Sequence, residues 1–281
     1  MILVADCGST KIDWCLLNNG KVEKQVFTLG MNAVMLTEEE MRTRLADELA
    51  PEMAGYPIDE VYFYGAGCIS PEVCGNVARA IQANIPDTKI VEVHTDLLAA
   101  ARALCGRTPG IACIMGTGSN SCYYDGEKIC DNVSPLGYIL GDEGSGAVLG
   151  KLLIGDVLKN QLPKDLCEKF LQQYELDRMI IIRRVYKEPQ GNRFLASITP
   201  FLIQNIDRPE IHALVLNSFK AFFVRNIQQY KNYSELSVNF IGSIAYYYRE
   251  VLEEAAAQCG CTVGSIIKSP MEGLIKFHTA I

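Results

Sequence analysis

The chain opens with Met1-Ile2-Leu3-Val4-Ala5-Asp6-Cys7-Gly8-Ser9-Thr10-Lys11-Ile12-Asp13-Trp14-Cys15-Leu16-Leu17, and this stretch decides the fold. An apolar run reaches Asp6, a turn of Gly8, Ser9 and Thr10 follows, and a second apolar run begins. Two short β-rich runs joined by such a turn predict a β-hairpin. Gly8 permits close approach of a ligand, and the amides and hydroxyls that follow can hold phosphate oxygens. Asp6, beside the turn, is predicted to hold the magnesium ion that accompanies them.

A second copy of this pattern lies in the middle of the chain. The apolar run 111–115 is broken by Gly116-Thr117-Gly118-Ser119 and continues as Cys122-Tyr123-Tyr124. Aligning Gly8 with Gly118 also aligns Trp14 with Tyr124. A repeated strand, turn and strand predicts two related domains. We expect the two turns to face one another and to hold one triphosphate tail.

Composition limits the class of protein. With 281 residues the chain is long enough for two domains, each with its own core. The net charge of -7 argues against nucleic acid or an anionic membrane surface as the main partner. No apolar run reaches the ~18 residues of a membrane span, and no basic leader precedes the first strand, which predicts a cytoplasmic protein. The eleven cysteines are scattered and odd in number, which is typical of reduced thiols.

The order of predicted elements favours an α/β fold. After an antiparallel meander that ends near residue 28, strands at 61–64 and 89–94 alternate with helices at 37–50, 71–84 and 97–104, which predicts a mixed sheet. The turn-rich stretch 106–110 predicts a boundary, giving domains 1–108 and 109–281. The second domain is more helical, and its helices are predicted at 145–159, 165–174, 177–185, 211–230 and 246–259. A final helix starting at Ser269-Pro270 could pack back on the first domain.

Three motifs, in this order, carry a family resemblance: Asp6 to Lys11, Met115 to Asn120, and Gly137-Tyr138-Ile139-Leu140-Gly141-Asp142-Glu143-Gly144-Ser145. The series resembles the N-acetylglucosamine kinase-like family of the sugar kinase, heat-shock chaperone and actin superfamily. The resemblance implies two duplicated actin-like ATPase (ribonuclease H-like) domains with mixed sheets, flanking helices and an interdomain cleft. It is dense over the first half of the chain. Residues 165–209 carry no motif that matches.

The resemblance also implies an ATP- and Mg²⁺-dependent kinase that phosphorylates the 6-hydroxyl of N-acetylglucosamine or a related amino sugar. Phosphoryl transfer requires phosphate turns, a metal carboxylate and a base near the acceptor hydroxyl. Asp96, where a strand meets a helix, matches the position of the family's catalytic base. The resemblance implies that it also contacts the sugar. The implied site residues follow: Gly8, Ser9, Thr10, Lys11, Thr117, Gly118 and Ser119 for phosphate; Gly242 and Ser243 for adenosine; Asn32, Leu136, Gly137 and Asp142 for sugar; Asp6 for the metal.

Two other functions stay open from the sequence. One is an activator ATPase of a radical dehydratase or reductase, a sister family that would need cysteines holding an iron–sulfur cluster at a subunit interface. The other is a nucleotide-dependent sugar sensor that binds sugar without phosphate transfer. Whether the chain forms a homodimer is likewise open.

Overall fold

The structure is a computed structural model that describes residues 1–8 and 11–279. The strands are β1 (Ile2–Cys7), β2 (Lys11–Asn18), β3 (Lys21–Leu29), β4 (Glu60–Gly65), β5 (Ile90–Thr95), β6 (Gly110–Met115), β7 (Ser119–Tyr124), β8 (Ile129–Asp131), β9 (Ser237–Ile241) and β10 (Thr262–Ile267). The α-helices are α1 (Glu38–Glu48), α2 (Ala50–Met53), α3 (Pro71–Asn84), α4 (Asp96–Cys105), α5 (Gly137–Leu140), α6 (Gly146–Leu158), α7 (Lys164–Gln173), α8 (Arg178–Tyr186), α9 (Gly191–Ser197), α10 (Pro200–Gln204), α11 (Pro209–Arg225), α12 (Ser243–Tyr247), α13 (Arg249–Gln258) and α14 (Met271–Thr279). None of the helices within the described ranges is both long and apolar enough to cross a membrane.

The described chain forms two compact units. The first contains Met1–Thr108, Gly126–Lys128 and the C-terminal segment from Pro270. The second contains Pro109–Asp125 and Ile129–Ser269.

The first unit is a mixed five-stranded sheet between two layers of helices. Its strand order is β3-β2-β1-β4-β5, with β1 antiparallel to β2 and parallel to β4. Helices α1 and α3 pack on one face, and α4 and α14 pack on the other. Side-chain caps start the helices, since Thr37 forms a full capping box with Glu40 and Thr95 caps α4. The single tryptophan, Trp14, is fully buried in this unit.

The second unit repeats the same topology. Its order is β10-β9-β6-β7-β8, which becomes the order of the first unit when β6, β7, β8, β9 and β10 replace β1 to β5. The directions agree as well, since β6 is antiparallel to β7 and parallel to β9. The predicted duplication is therefore confirmed. The alignment used to detect it is displaced by two residues, because the hairpin turns begin at Gly8 and Gly116.

The core of the second unit is built on α11. Val215, Phe219, Phe222 and Phe223 are buried from that helix, and both Phe222 and Phe223 contact Phe240 of β9. These residues recur at helical spacing, so they form one apolar stripe that faces the core.

Three features of the second unit differ from the sequence prediction. Helix α11 ends at Arg225 instead of residue 230, because a 3₁₀ turn follows it. The helix predicted at 246–259 is two helices, which meet at Tyr248, and the buried Tyr248 hydroxyl donates to the Thr199 carbonyl. Neither the short helices α9 and α10 nor the edge strand β10 was expected.

Candidate active site

The carboxyl ends of three parallel strands meet at one edge of the first sheet. Cys7 of β1 pairs with Gly65 of β4, and Gly65 pairs with Thr95 of β5. The residues just before and after these positions therefore share this edge. Asp6 and Asp96 are both among them, and ligands bind at such strand ends in open α/β sheets.

Asp6 is a half-buried carboxylate with acidic neighbours. Asp13 faces it across the β1–β2 ladder. Burial, and then the negative charges of Asp13 and Asp96, together raise the pKa of Asp6 to about 7, although Lys11 opposes the shift. A carboxylate under this repulsion is stabilised in its ionised form by a cation.

These residues fit a magnesium ion held mainly by water and phosphate. Among residues 1–8 and 11–279, no three His, Cys, Asp or Glu side chains form a metal-binding group. Mg²⁺ bound with nucleotide takes one or two carboxylates and keeps several water and phosphate ligands. Asp6 can supply one carboxylate of this kind.

Asp96 is the first residue of α4. The Thr95 hydroxyl caps the helix by accepting from the Leu98 N–H at 3.1 Å. Burial raises the pKa of the Asp96 carboxyl, while the backbone N–H groups of Leu97 and of Asp96 itself lower it. The side chain combines a partly desolvated carboxyl with a helix N-terminus, a setting in which it can take a proton from a bound hydroxyl.

The loop that carries Asn32 is fastened to the same edge. The Cys7 thiol donates to the Met31 carbonyl at 3.0 Å, and the Asn32 side-chain oxygen accepts from the Val34 N–H at 3.1 Å. Gly67 passes so close that a Cβ there would lie 2.6 Å from the Asn32 oxygen. The Asn32 side-chain NH₂ forms no hydrogen bond with the described residues, which leaves it available to donate.

The first turn is described only in part. Ser9 and Thr10, both predicted phosphate ligands, lie outside the described residues. The Gly8 N–H donates to the Lys11 carbonyl at 3.0 Å and closes the turn. The Lys11 ammonium lies over the Phe27 ring, 4.4 Å from its centroid. The position of the Lys11 ammonium is therefore explained by its cation–π contact with Phe27.

The second turn, residues 116–118, is fastened to the start of α6. The Gly116 and Thr117 carbonyls accept from Gly146 and Ala147 at 2.8 and 3.0 Å. Gly242 also abuts it, at φ +126°, where a Cβ would collide with the Met115 carbonyl. The predicted phosphate residues Thr117, Gly118 and Ser119 therefore lie close to the predicted adenosine residue Gly242.

The Gly141 to Ser145 motif holds this turn from its other side. Asp142 lies against Gly118, where a Cβ would be 3.0 Å from its carboxylate oxygen. Burial raises the pKa of Asp142 to about 6, and the Ser119 backbone N–H opposes the shift. Glu143 is turned away into an ion pair with Arg225, and Ser145 caps α6. Only the Asp142 carboxylate of this motif is presented at the turn.

Leu136 and Gly137 occupy a tight surface loop. Both have left-handed backbone, with φ of 61° and 73°. The Asp142 N–H donates to the Pro135 carbonyl at 2.9 Å, which closes the loop and leaves Leu136 exposed. Asp142 and the two loop residues are therefore on one continuous segment.

A cavity of about 380 Å³ adjoins Ser243 in the second unit. Ser243, Ile244 and Tyr247 line one side, and residues 196–203 line the other. The half-exposed Tyr247 ring has its hydroxyl held by the Lys268 ammonium at 2.7 Å. An apolar cavity with an exposed aromatic ring and nearby hydroxyls suits a nucleobase.

Sequence reasoning missed Tyr247, Lys268 and the 196–203 wall. The only signal was an aromatic cluster, Tyr246 to Tyr248, directly after Gly242-Ser243. The wall could not be predicted, because it comes from short helices without a motif.

All eleven cysteines are free of disulfides. Cys259 and Cys261 are linked by a thiol-to-carbonyl contact of 3.7 Å. Neither this pair nor the other thiols of the described ranges belongs to a metal-binding group.

No protein-family model matches the chain, and no curated protein does. Among solved structures, one from Porphyromonas gingivalis, named a putative N-acetylglucosamine kinase, is 50% identical over 99% of each chain, with a TM-score of 0.95. One from Chromobacterium violaceum with the same name is 17% identical over 98% of each chain, with a TM-score of 0.75. A ROK-family glucokinase from Streptomyces griseus, solved with glucose and AMPPNP, is 13% identical over 98% of this chain and 97% of its own, with a TM-score of 0.57.

Two duplicated mixed sheets flanked by helices give the chain the actin-like ATPase fold of the sugar kinases. The Chromobacterium and Streptomyces structures share that fold. The 50% identity to the Porphyromonas protein over nearly the whole of both chains shows which family the chain belongs to. The chain belongs to the N-acetylglucosamine kinase-like family.

Proposed function

We propose that this protein is a sugar kinase that transfers the γ-phosphoryl group of ATP, with Mg²⁺, to the 6-hydroxyl of N-acetylglucosamine or a related amino sugar. The observation that carries the proposal is that Asp6 and Asp96 lie at the same carboxyl edge of the first sheet, close enough for the charge of Asp96 to raise the pKa of Asp6. The name of the Porphyromonas relative supports the sugar, and the Streptomyces glucokinase complex supports the nucleotide.

Asp96 is the proposed general base. Its carboxylate accepts the proton of the sugar hydroxyl as that oxygen attacks the γ-phosphorus. The Asn32 side-chain NH₂ donates to a second sugar hydroxyl and orients the ring. The Val34 N–H holds the Asn32 side chain, and the backbone N–H groups of Leu97 and of Asp96 itself hold the Asp96 carboxyl, so that little reorganisation is needed when sugar binds.

Asp6 would hold the magnesium ion, which neutralises charge on the β- and γ-phosphates when bound. The backbone of Gly8 and the turn of Thr117, Gly118 and Ser119 donate to phosphate oxygens. Ser9, Thr10 and Lys11 complete the proposed set. Lys11 would have to leave the Phe27 ring to reach a phosphate.

Asp142 is proposed to accept a hydrogen bond from the sugar, with Leu136 and Gly137 contributing backbone. Because Asp142 lies against the second phosphate turn, the hydroxyl it holds would be close to the transferred group. Gly242 and Ser243 are proposed to place the adenosine, with the adenine in the cavity beside Tyr247.

The test is ADP release from ATP and Mg²⁺ in the presence of N-acetylglucosamine, glucosamine, N-acetylmannosamine, glucose and anhydro-muramic acid, each assayed alone. Release that depends on an amino sugar supports the proposal. Sugar binding without ADP release supports the sensor function instead. Sugar-independent ATP turnover, with a brown protein on anaerobic purification, supports the activator ATPase.

A further inference from the structure

A second cavity of the second unit lies between helices α5, α6, α8 and α9 and has a volume of about 460 Å³. We call it the α6–α8 groove. Ile154 and Leu158 of α6 form its floor with Ile181 of α8, and Tyr138 and Ile139 of α5 form one wall. It shares no lining residue with the cavity beside Ser243. Its size is within the range of small-molecule sites.

A glycine in the floor of the groove has no role in packing. Gly146 and Gly150 of α6 are needed because a Cβ on either would press on neighbouring chain, at Ala196 and at the Leu195 carbonyl. Gly155, in the same helix, has nothing within 4 Å of its Cβ position. A glycine within a helix costs ~1 kcal/mol relative to alanine. The absence of a side chain at Gly155 leaves a space that the described residues do not fill.

The charged residues that line the groove are all basic. Lys151 and Lys159 are part of its lining, and no carboxylate is. Lys151 donates to the Tyr138 carbonyl at 2.7 Å and favours the ionised form of the Asp142 carboxyl, which is outside the lining. In a chain with a net charge of -7, an acid-free lining with two lysines favours an anion.

We propose that the α6–α8 groove binds a small amphipathic anion, with an aliphatic or aromatic body on the isoleucine floor and an acidic head group at Lys159. The wall helix α5 ends two residues before Asp142, so an occupant would contact the segment that carries both Gly137 and Asp142. Binding itself does not depend on the kinase proposal. The site is an effector site in the sense that its occupant restrains this segment.

The test uses the full chain and two probes, anilinonaphthalene sulfonate by fluorescence and decanoate by displacement. We expect saturable binding of one probe per chain, displacement by decanoate, weaker displacement by decyltrimethylammonium, and no displacement by MgATP. Displacement by MgATP would assign the probe to the nucleotide cavity and overturn the proposal. Equal displacement by the cation would overturn the charge assignment.

Gly155→Leu fills the groove, and Ala257→Leu adds the same side chain to the exposed surface of α13. If the new leucine keeps two methylenes of the ligand out of the groove, the ligand loses ~1.6 kcal/mol of binding free energy. Gly155→Leu should therefore weaken binding about tenfold or more. Ala257→Leu should leave it unchanged. Lys159→Gln, at an exposed position, should weaken decanoate binding by up to about fivefold. This variant tests the proposal even if the leucine variant does not fold.

Two further readouts separate a ligand site from other occupants. Decanoate should slow backbone hydrogen exchange in peptides covering residues 136–142 of the wild-type chain and not of Gly155→Leu. Unchanged exchange there would overturn the effector role. If sedimentation shows that Gly155→Leu or decanoate changes the oligomeric state, the groove is an interface between copies and the proposal is wrong.

Discussion

Replacing Gly67 by alanine tests the geometry of the sugar loop most directly. Gly67 has φ +85°, and an alanine Cβ would lie 2.6 Å from the Asn32 side-chain oxygen. Left-handed backbone costs a residue with a Cβ about 1–2 kcal/mol. Expelling the Asn32 side chain would also break its bond to the Val34 N–H, which is worth about 0.5–1.5 kcal/mol. The free energy of unfolding should therefore fall by about 1.5–3.5 kcal/mol.

The first unit offers a matched control. Gly55 has nearly the same φ, +84°, and nothing within 4 Å of its Cβ position. Gly55→Ala should show the backbone cost alone. The difference between the two variants measures the crowding at Gly67, which comes mainly from Asn32 and also from Val34, with atoms 3.2 and 3.3 Å from the Cβ position.

The assay is urea unfolding followed by tryptophan fluorescence. Trp14 is the only tryptophan and is fully buried, so its emission reports on the first unit. In an Asn32→Gly background the part of the extra cost of Gly67→Ala that comes from Asn32 should be lost, giving a coupling energy of about 0.5–1.5 kcal/mol. Under the proposed function, Gly67→Ala should also raise the KM for sugar, while Gly55→Ala should not. Equal destabilisation by the two alanines, with no coupling to Asn32, would refute the described contact.

Three further outcomes are expected. Asp96→Asn should lower kcat by about 10²–10⁴ while leaving nucleotide affinity intact by calorimetry, and full activity would remove the base assignment. Because burial raises the folded-state pKa of Asp6 from 3.8 to about 7, the folded state holds a proton that the unfolded state has lost, so stability should fall as pH rises from about 4 to about 7. Asp6→Asn should flatten this pH dependence of stability, and in the wild type Mg²⁺ should reduce the loss of stability with rising pH. An unchanged pH dependence in the variant would contradict the raised pKa of Asp6. Tyr247→Ala should raise the KM for ATP about three- to tenfold, whereas Tyr247→Phe, which keeps the ring, should not, and equal effects would place the adenine elsewhere.

The hairpin that opens each unit, and the duplication of the units, could be predicted from local patterns. An apolar run, a glycine turn and a second apolar run specify a hairpin wherever they occur, and this chain contains the pattern twice. The helices predicted from residues 37 and 71 begin where the sequence indicates, at Glu38 after its Thr37 cap and at Pro71. These signals act over a few residues, so no tertiary contact is needed to interpret them.

Other elements depend on contacts distant in the chain. The break at Tyr248 follows from a hydroxyl that reaches the Thr199 carbonyl, and strand β10 exists because β9 is available beside it. The hydrophobic periodicity of a single stretch does not indicate which distant residues it will contact.

The candidate site divides in the same way. The sequence by itself determined which residues have suitable chemistry: Asp6 and Asp96 at strand ends, glycines in turns, and Asp142 in its motif. Only the tertiary structure decided that Asp6 and Asp96 share one edge, that Asp142 lies against Gly118, and that Tyr247 borders a cavity. The physical reason is that residue type and local spacing fix what a side chain can do. What it does in the folded chain depends on burial and neighbouring charge, and these arise when segments far apart in sequence pack together.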